Sequence, residues 1–233
     1  MGMLHKTKGI VLSYLKYRES SIIAKIYTET FGVQSYVING VRSSRAKSNK
    51  IALFQPLTLL DMVVYHKSHR ETLQRLSEVR NAYPFTQLPF DMVRTSVALF
   101  LAELLGKCLK EEEANELLFH FLEESVILLD QTDQGLESFH LVFMVQLASY
   151  LGFGIESTDQ FKEVLRGFKY SFPDGDHDKG ALESIILEQP EGLKKAGRAG
   201  RNILLAQLLF YYRVHLDHFG EIKSLDVLKA VLH

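Results

Sequence analysis

Ile22-Ile23-Ala24-Lys25-Ile26-Tyr27 changes side-chain character with a period of two. Successive side chains of an extended strand point to opposite faces, which puts Ile22, Ala24 and Ile26 on one side and Ile23, Lys25 and Tyr27 on the other. That is the pattern of a sheet packed on one face and partly wet on the other. The same enrichment in β-branched and aromatic residues recurs around it, at residues 11–15, 35–38, 57–65 and 73–79. Gly32 and the Asn39-Gly40 pair mark turns between these runs. Five short strands within residues 5–80 are too few for a sandwich and suit a small closed barrel, with the oligonucleotide-binding (OB) fold as first candidate.

Beyond Tyr83-Pro84 and Leu88-Pro89 the period lengthens. Val93, Val97, Phe100, Leu101, Leu104 and Leu105 recur at spacings of three and four, as do Leu117, Leu118, Phe121, Leu122, Val126 and Leu129, so each set lies along one helical stripe. Further helices are predicted over 136–151, stopped by Gly152 and Gly154, and over 203–219, stopped by Gly220. Ser224 reads as the N-cap of a last short helix ending at Val231. The polar stretch 156–193, rich in Gly and Pro, reads as short helices and loops. The expected class is α+β and multidomain: a five-stranded OB barrel over residues 1–81, followed by an all-α helical domain over 82–233.

Charge divides at the same place. Residues 1–81 hold 13 Lys and Arg against 5 Asp and Glu, a balance of +8, while residues 82–233 hold 14 against 23, a balance of −9. The net charge of −1 therefore conceals a basic module joined to an acidic one, and a polyanionic partner is expected for the first alone. With 46% hydrophobic residues among 233, the chain buries a substantial core. The longest apolar run, 203–212, already contains Gln207 and is about half the length a membrane span needs. Lys6 and Lys8 break the N-terminal apolar character, so secretion is not expected, and the single cysteine, Cys108, fits a reducing cytoplasm.

The densest chemistry is the turn 39–50, Asn-Gly-Val-Arg-Ser-Ser-Arg-Ala-Lys-Ser-Asn-Lys, in which Arg42, Arg45, Lys47 and Lys50 alternate with small or polar residues and no acid. Cations so spaced can follow successive phosphates, with Ser and Asn donating to the same oxygens. The alternative is a solvated loop. Lys6, Lys8, Lys16 and Arg18 border the first strand and extend the path. Tyr14, Tyr17, Tyr27, Phe31, Tyr36 and Phe54 are available for base stacking, although a barrel this small needs most of its large side chains inside.

Other motifs carry less. Asp174-Gly175-Asp176-His177-Asp178 opens like a calcium loop but has Lys179 where glycine is required and Ile185 where a bidentate Glu is required. His215 and His218, with Glu221 nearby, lack a third ligand at convincing spacing. Lys194, Lys195, Arg198 and Arg201 form a second anion patch or merely solvate their helix. No nucleophile elbow, phosphate loop or paired acidic motif of a nuclease is present, so no catalytic residue, metal or cofactor is expected.

The N-terminal segments Thr7-Lys8-Gly9-Ile10-Val11-Leu12, Tyr17-Arg18-Glu19-Ser20-Ser21-Ile22-Ile23, Tyr27-Thr28 with Phe31-Gly32, and Asn39-Gly40-Val41-Arg42 with Ala46-Lys47 resemble, in order and spacing, the RecO family of bacterial recombination mediators. Leu53, Pro56 and Leu57 fit the entry to that family's next strand, and Tyr211-Tyr212 with Lys223-Ser224-Leu225 fits its closing helices more loosely. The resemblance implies a non-enzymatic protein with an OB domain and a helical domain. Such proteins bind single- and double-stranded DNA without sequence specificity, anneal strands, contact the single-stranded-DNA-binding protein, and work with RecR to load RecA. It implies a cytoplasmic, nucleoid-associated protein with no membrane partner. Arg42 and Lys47 fall on the family's basic loop; Lys8, Lys16, Arg18, Arg45 and Lys50 join them by charge alone. Many relatives hold a four-cysteine zinc module in the helical domain. Between residues 152 and 180 this chain has no cysteine, so no structural zinc is expected there, and Phe153, Phe161, Phe168 and Phe172 are expected to hold the segment by packing. A protein-only adaptor and an RNA-binding OB protein are the competing readings.

Overall fold

The computed structural model describes residues 3–41, 50–66, 73–109, 113–172, 179–187 and 196–232. Strands β1 (Met3–Tyr17), β2 (Ser21–Thr28), β3 (Gly32–Ile38), β4 (Leu59–His66) and β5 (Gln74–Asn81) close a barrel in the order β1-β2-β3-β5-β4. β1 is long because two neighbours share it. Its first half pairs with β4, from Met3↔His66 to Ile10↔Leu59, and its second half with β2, from Gly9↔Thr28 to Tyr17↔Ser21. Gly9 sits where the two pairings cross, and a Cβ there would come within 2.7 Å of Ile26 Cγ2 and 3.1 Å of the Met62 sulfur. Only glycine admits that close approach without repacking the core. β3 meets β5 in parallel through two registered pairs, Tyr36↔Gln74 and Val37↔Arg75, which makes this seam the least laced part of the wall.

Ile22, Ala24 and Ile26 point inward as the alternation predicts, fully buried with Val11, Tyr36, Phe54, Leu60 and Val64. The opposite face of β2 is drier than the alternation implies. Tyr27 is 2% exposed. Its hydroxyl donates to the Asn115 carbonyl at 3.3 Å, its ring lies 6.0 Å from Phe119, and Lys25 donates to the Gly106 carbonyl at 3.0 Å. Helices α1 (Met92–Cys108) and α2 (Glu116–Gln131) supply that cover.

By contacts the chain forms two compact units, Met1–Gln131 with Ile222–Leu228, and Thr132–Glu221 with Lys229–His233. Two carboxylates, one buried and one half-buried, tie the first together. Asp130, fully buried on α2, accepts the amides of Thr86, Gln87 and Leu88 at 2.7–3.2 Å and the Thr86 hydroxyl at 3.2 Å, which fastens the segment leading into α1. Glu103 on α1 accepts the amides of Lys223 and Ser224 at 2.9 and 2.8 Å and the Ser224 hydroxyl at 2.7 Å. Ser224 immediately precedes helix α7 (Leu225–Val231), as expected, and its hydroxyl is spent on Glu103.

The second unit contains α3 (Leu136–Tyr150), α4 (Thr158–Gly167), α5 (Lys179–Ile186) and α6 (Gly197–His215). α6 starts before residue 203, because glycine and arginine occupy its first turns and blur the apolar stripe there. Tyr211 and Tyr212, buried on α6, donate to the carbonyls of Phe153 at 3.1 Å and Met144 at 2.7 Å. Phe153 stacks on His215, and Phe161 packs 5.0 Å from Tyr211. Phe172 packs edge-on against Tyr170 at 5.1 Å. Phe168 does not join this cluster, being 59% exposed. With one cysteine in the chain, four thiolate ligands cannot be assembled, and aromatic packing is what the described residues offer in that place. The His215 ring is occupied by Phe153 and by the Tyr211 carbonyl 2.9 Å from Nδ1. No helix among the described residues is long and apolar enough to cross a membrane.

Candidate nucleic-acid interface

A cleft of about 820 Å³ opens along the β3–β5 seam, and Tyr17, Arg18, Lys50, Leu73, Arg75 and Glu78 line it. One flank is the β1–β2 hairpin, closed by the Tyr17↔Ser21 pair. Arg18 takes a left-handed backbone there, φ 51°, and its guanidinium lies 5.2 Å from the Tyr17 ring centroid. A cation over an aromatic face at that distance is attracted by the ring quadrupole, which holds both groups at the rim. Ser21 donates to the Asn39 side chain at 2.9 Å and so ties the hairpin to the end of β3. Gly40 then turns the chain with φ 73°. The other flank begins at Lys50, the exposed first residue of a 3₁₀ helix, Lys50–Phe54, anchored by Phe54 in the barrel core. Arg75 on β5 is exposed opposite. Among the described residues, no carboxylate pairs with Arg18, Lys50 or Arg75, and Glu78 is the one acid lining the cleft.

The predicted site residues are distributed unevenly. Arg18 and Lys50 meet at the cleft. Arg42, Arg45 and Lys47 lie outside the described residues, in the segment that leaves the cleft wall at Val41 and returns at Lys50. Lys16 is exposed on β1 but does not line the cleft. Lys8 is engaged elsewhere: its amine donates to both oxygens of Glu123 on α2, at 2.8 and 3.0 Å. That hydrogen bond raises the Lys8 pKa above its ordinary value, against the opposing effect of burial. The calcium-like run 174–178 and Lys194 and Lys195 of the second cation patch also lie outside the described residues.

Of the six aromatic candidates, Tyr36, Phe54 and Tyr27 are buried, and burial pushes the Tyr27 hydroxyl up to about 12. Tyr14 and Phe31 pack against the barrel core, Phe31 stacked 4.0 Å from His66. Of the six, Tyr17 and Phe54 line the cleft, and because Phe54 is fully buried the rim presents the Tyr17 ring. Arg75 was missed by the sequence reading, although Gln74 and Leu76 as inward neighbours would have marked it as an outward cation. What the cleft offers chemically is a rim of cations with no carboxylate partner among the described residues, beside the half-buried ring of Tyr17.

Comparison with known proteins identifies the family. A family model described as "Recombination protein O N terminal" matches residues 1–85, and one described as "Recombination protein O C terminal" matches residues 89–226. Among relatives named DNA repair protein RecO, that of Flavobacterium psychrophilum is 37% identical and that of Flavobacterium johnsoniae 36%, each aligned over 97% of this chain and 98% of its own length. The Bacteroides fragilis protein of that name is 36% identical over 98% of this chain and 99% of its own. Likeness of that extent along both halves and almost the full length of each relative means that the chain belongs to the RecO family of DNA repair proteins.

Proposed function

We propose that this protein binds single- and double-stranded DNA without reading its sequence, anneals complementary strands, and helps load the recombinase onto DNA coated by single-strand-binding protein. The observation that carries the proposal is the gathering of Arg18, Lys50 and Arg75 with Tyr17 around one cleft, which is also lined by Val41 and so by the residues on both sides of the basic segment 42–49. Cations on a rigid rim displace the counterions that accompany phosphates, and an aromatic face stacks on any base, so affinity follows charge and strandedness and not sequence. Two strands partly neutralised on one basic surface repel each other less, which favours annealing without ATP or covalent chemistry.

Within this proposal the basic residues 1–81 do the nucleic-acid work. The acidic helical part, repelled by DNA, docks the protein partners that family membership suggests: RecR, the single-stranded-DNA-binding protein and the RecA pathway. The protein acts in the cytoplasm at the nucleoid and is not an enzyme, so labelled DNA incubated with magnesium or manganese is expected to remain intact.

The test is fluorescence anisotropy with labelled oligonucleotides of unrelated sequence over a series of salt concentrations. Engagement of about five phosphates on a single strand gives a slope of log affinity against log salt near about −3.5. A flat response would remove the electrostatic basis. Charge reversal at Arg18, Lys50 and Arg75 together is expected to weaken all sequences alike.

A further inference from the structure

The wall beyond β5 carries a second surface that the cleft does not include. Cross-strand partners share a face of the sheet, and the registers of β1, β4 and β5 set out three outward rows: Leu4, Tyr65 and Arg75; Lys6, Val63 and Glu78; Lys8, Asp61 and Arg80. A groove of about 600 Å³ runs over the second and third rows. The third row is neutralised internally, Lys8 by Glu123 at 2.8 Å and Arg80 by Asp61 at 3.0 Å.

The first row is different. Tyr65 is 40% exposed although aromatic, flanked by Leu4, itself 55% exposed, and by Arg75. Lys6, exposed on β1, is its diagonal neighbour, about 7–8 Å away in such a ladder. Arg75 belongs to both surfaces, since it lines the cleft and pairs with Tyr65.

We propose that a single strand of nucleic acid does not end in the β3–β5 cleft but crosses β5 at Arg75 and continues onto the β1–β4–β5 face. There one base stacks on Tyr65, and Lys6 and Arg75 hold the flanking phosphates. The path stops at the third row, where the cations already have partners. An exposed aromatic between two cations provides the stacking face and the backbone contacts that a sequence-tolerant single-strand site needs. This rests on the proposed binding of nucleic acid and extends it to Tyr65, which charge counting along the chain does not single out.

The chain contains no tryptophan, so Tyr65→Trp introduces one indole whose emission reports on that position alone. The full-length variant is titrated with a fluorescein-labelled oligothymidylate longer than the ~16 nucleotides that one OB barrel occupies, with anisotropy and indole emission followed together. The expected result is quenching that tracks the rise in anisotropy. Tyr65→Ala should weaken binding about 5- to 100-fold and Tyr65→Phe should restore it, as loss and recovery of one stacked base predict. If anisotropy rises while the indole is unchanged and Tyr65→Ala binds as the parent does, the extended path is wrong and the cleft reading stands. If anisotropy fails to rise even at low salt, both fall.

Discussion

Arg18 combines backbone strain with a place on the cleft rim. A left-handed conformation costs a residue with a Cβ about 1–2 kcal/mol, and here it turns the hairpin so that the guanidinium lies against Tyr17. Arg18→Gly removes that strain but also loosens the unfolded chain, so stability should stay within about 1 kcal/mol of the parent in urea unfolding. Oligonucleotide affinity should nevertheless fall, and a fall in both together would mean that the residue is structural. His140 gives a second prediction at this scale. Burial on α3, with Arg201 nearby, lowers its pKa from 6.5 to about 3. Above pH 6.5 neither state takes the proton; below it the unfolded chain takes one that the folded chain refuses, so stability falls as pH falls, by up to about 1.4 kcal/mol per unit. His140→Leu should flatten that decline between neutral pH and about pH 5, as read from urea midpoints. Which residues meet at the cleft is only partly legible in the sequence. Regular alternation puts Arg75 and Glu78 on opposite faces of β5, and the register shift opposite Val63 and Val64 turns both outward.

Among the elements, those with a strong period are the legible ones. The barrel strands and α1 to α3 follow from spacing, because each buries a stripe or a face that its period marks. What the period does not reveal is the cover: β2 reads as half wet, yet Tyr27 and Lys25 are taken up by backbone carbonyls of the helical segment beside it. Phe168 shows the same limit in reverse, since an aromatic residue in an otherwise polar stretch reads as an anchor and is exposed. Asp130 is an element-scale device that the sequence does not announce, since it is one of four acids on α2 and nothing in the spacing marks it as the buried one. Burial by itself would raise its pKa, but the amides of Leu88, Thr86 and Gln87 and the Thr86 hydroxyl together hold it below its ordinary value. Asp130→Ala strands those amides and should cost about 2–4 kcal/mol in chemical denaturation, because hydrogen bonds to a charged group are the stronger kind and their donors would be left buried. A cost below ~0.5 kcal/mol would show that water replaces the carboxylate.

For the whole molecule, the charge division along the chain is legible at once, whereas the way the chain is shared between its two compact units is not. Residues 132–221 interrupt the first unit, which resumes at Ile222–Leu228. Leu228 is fully buried, Ile222 is 7% exposed, and Glu103 grips the backbone between them. Burial raises the Glu103 pKa, but the Lys223 and Ser224 amides, the Ser224 hydroxyl and nearby Lys107 outweigh it and lower the value below the ordinary one. Truncation after Glu221 should therefore destabilise the barrel-containing unit, seen as earlier proteolysis within residues 3–109 and a lower urea midpoint. Truncation after Ala230 should leave both nearly unchanged.

The Glu103 contact also bears on the order of events at the ribosome. Translation delivers the barrel strands well before the peptide that Glu103 clasps. The barrel-containing unit is thus begun before its fastening exists, and a nascent chain stalled before Ser224 would carry its basic strands without the clasp that Glu103 supplies.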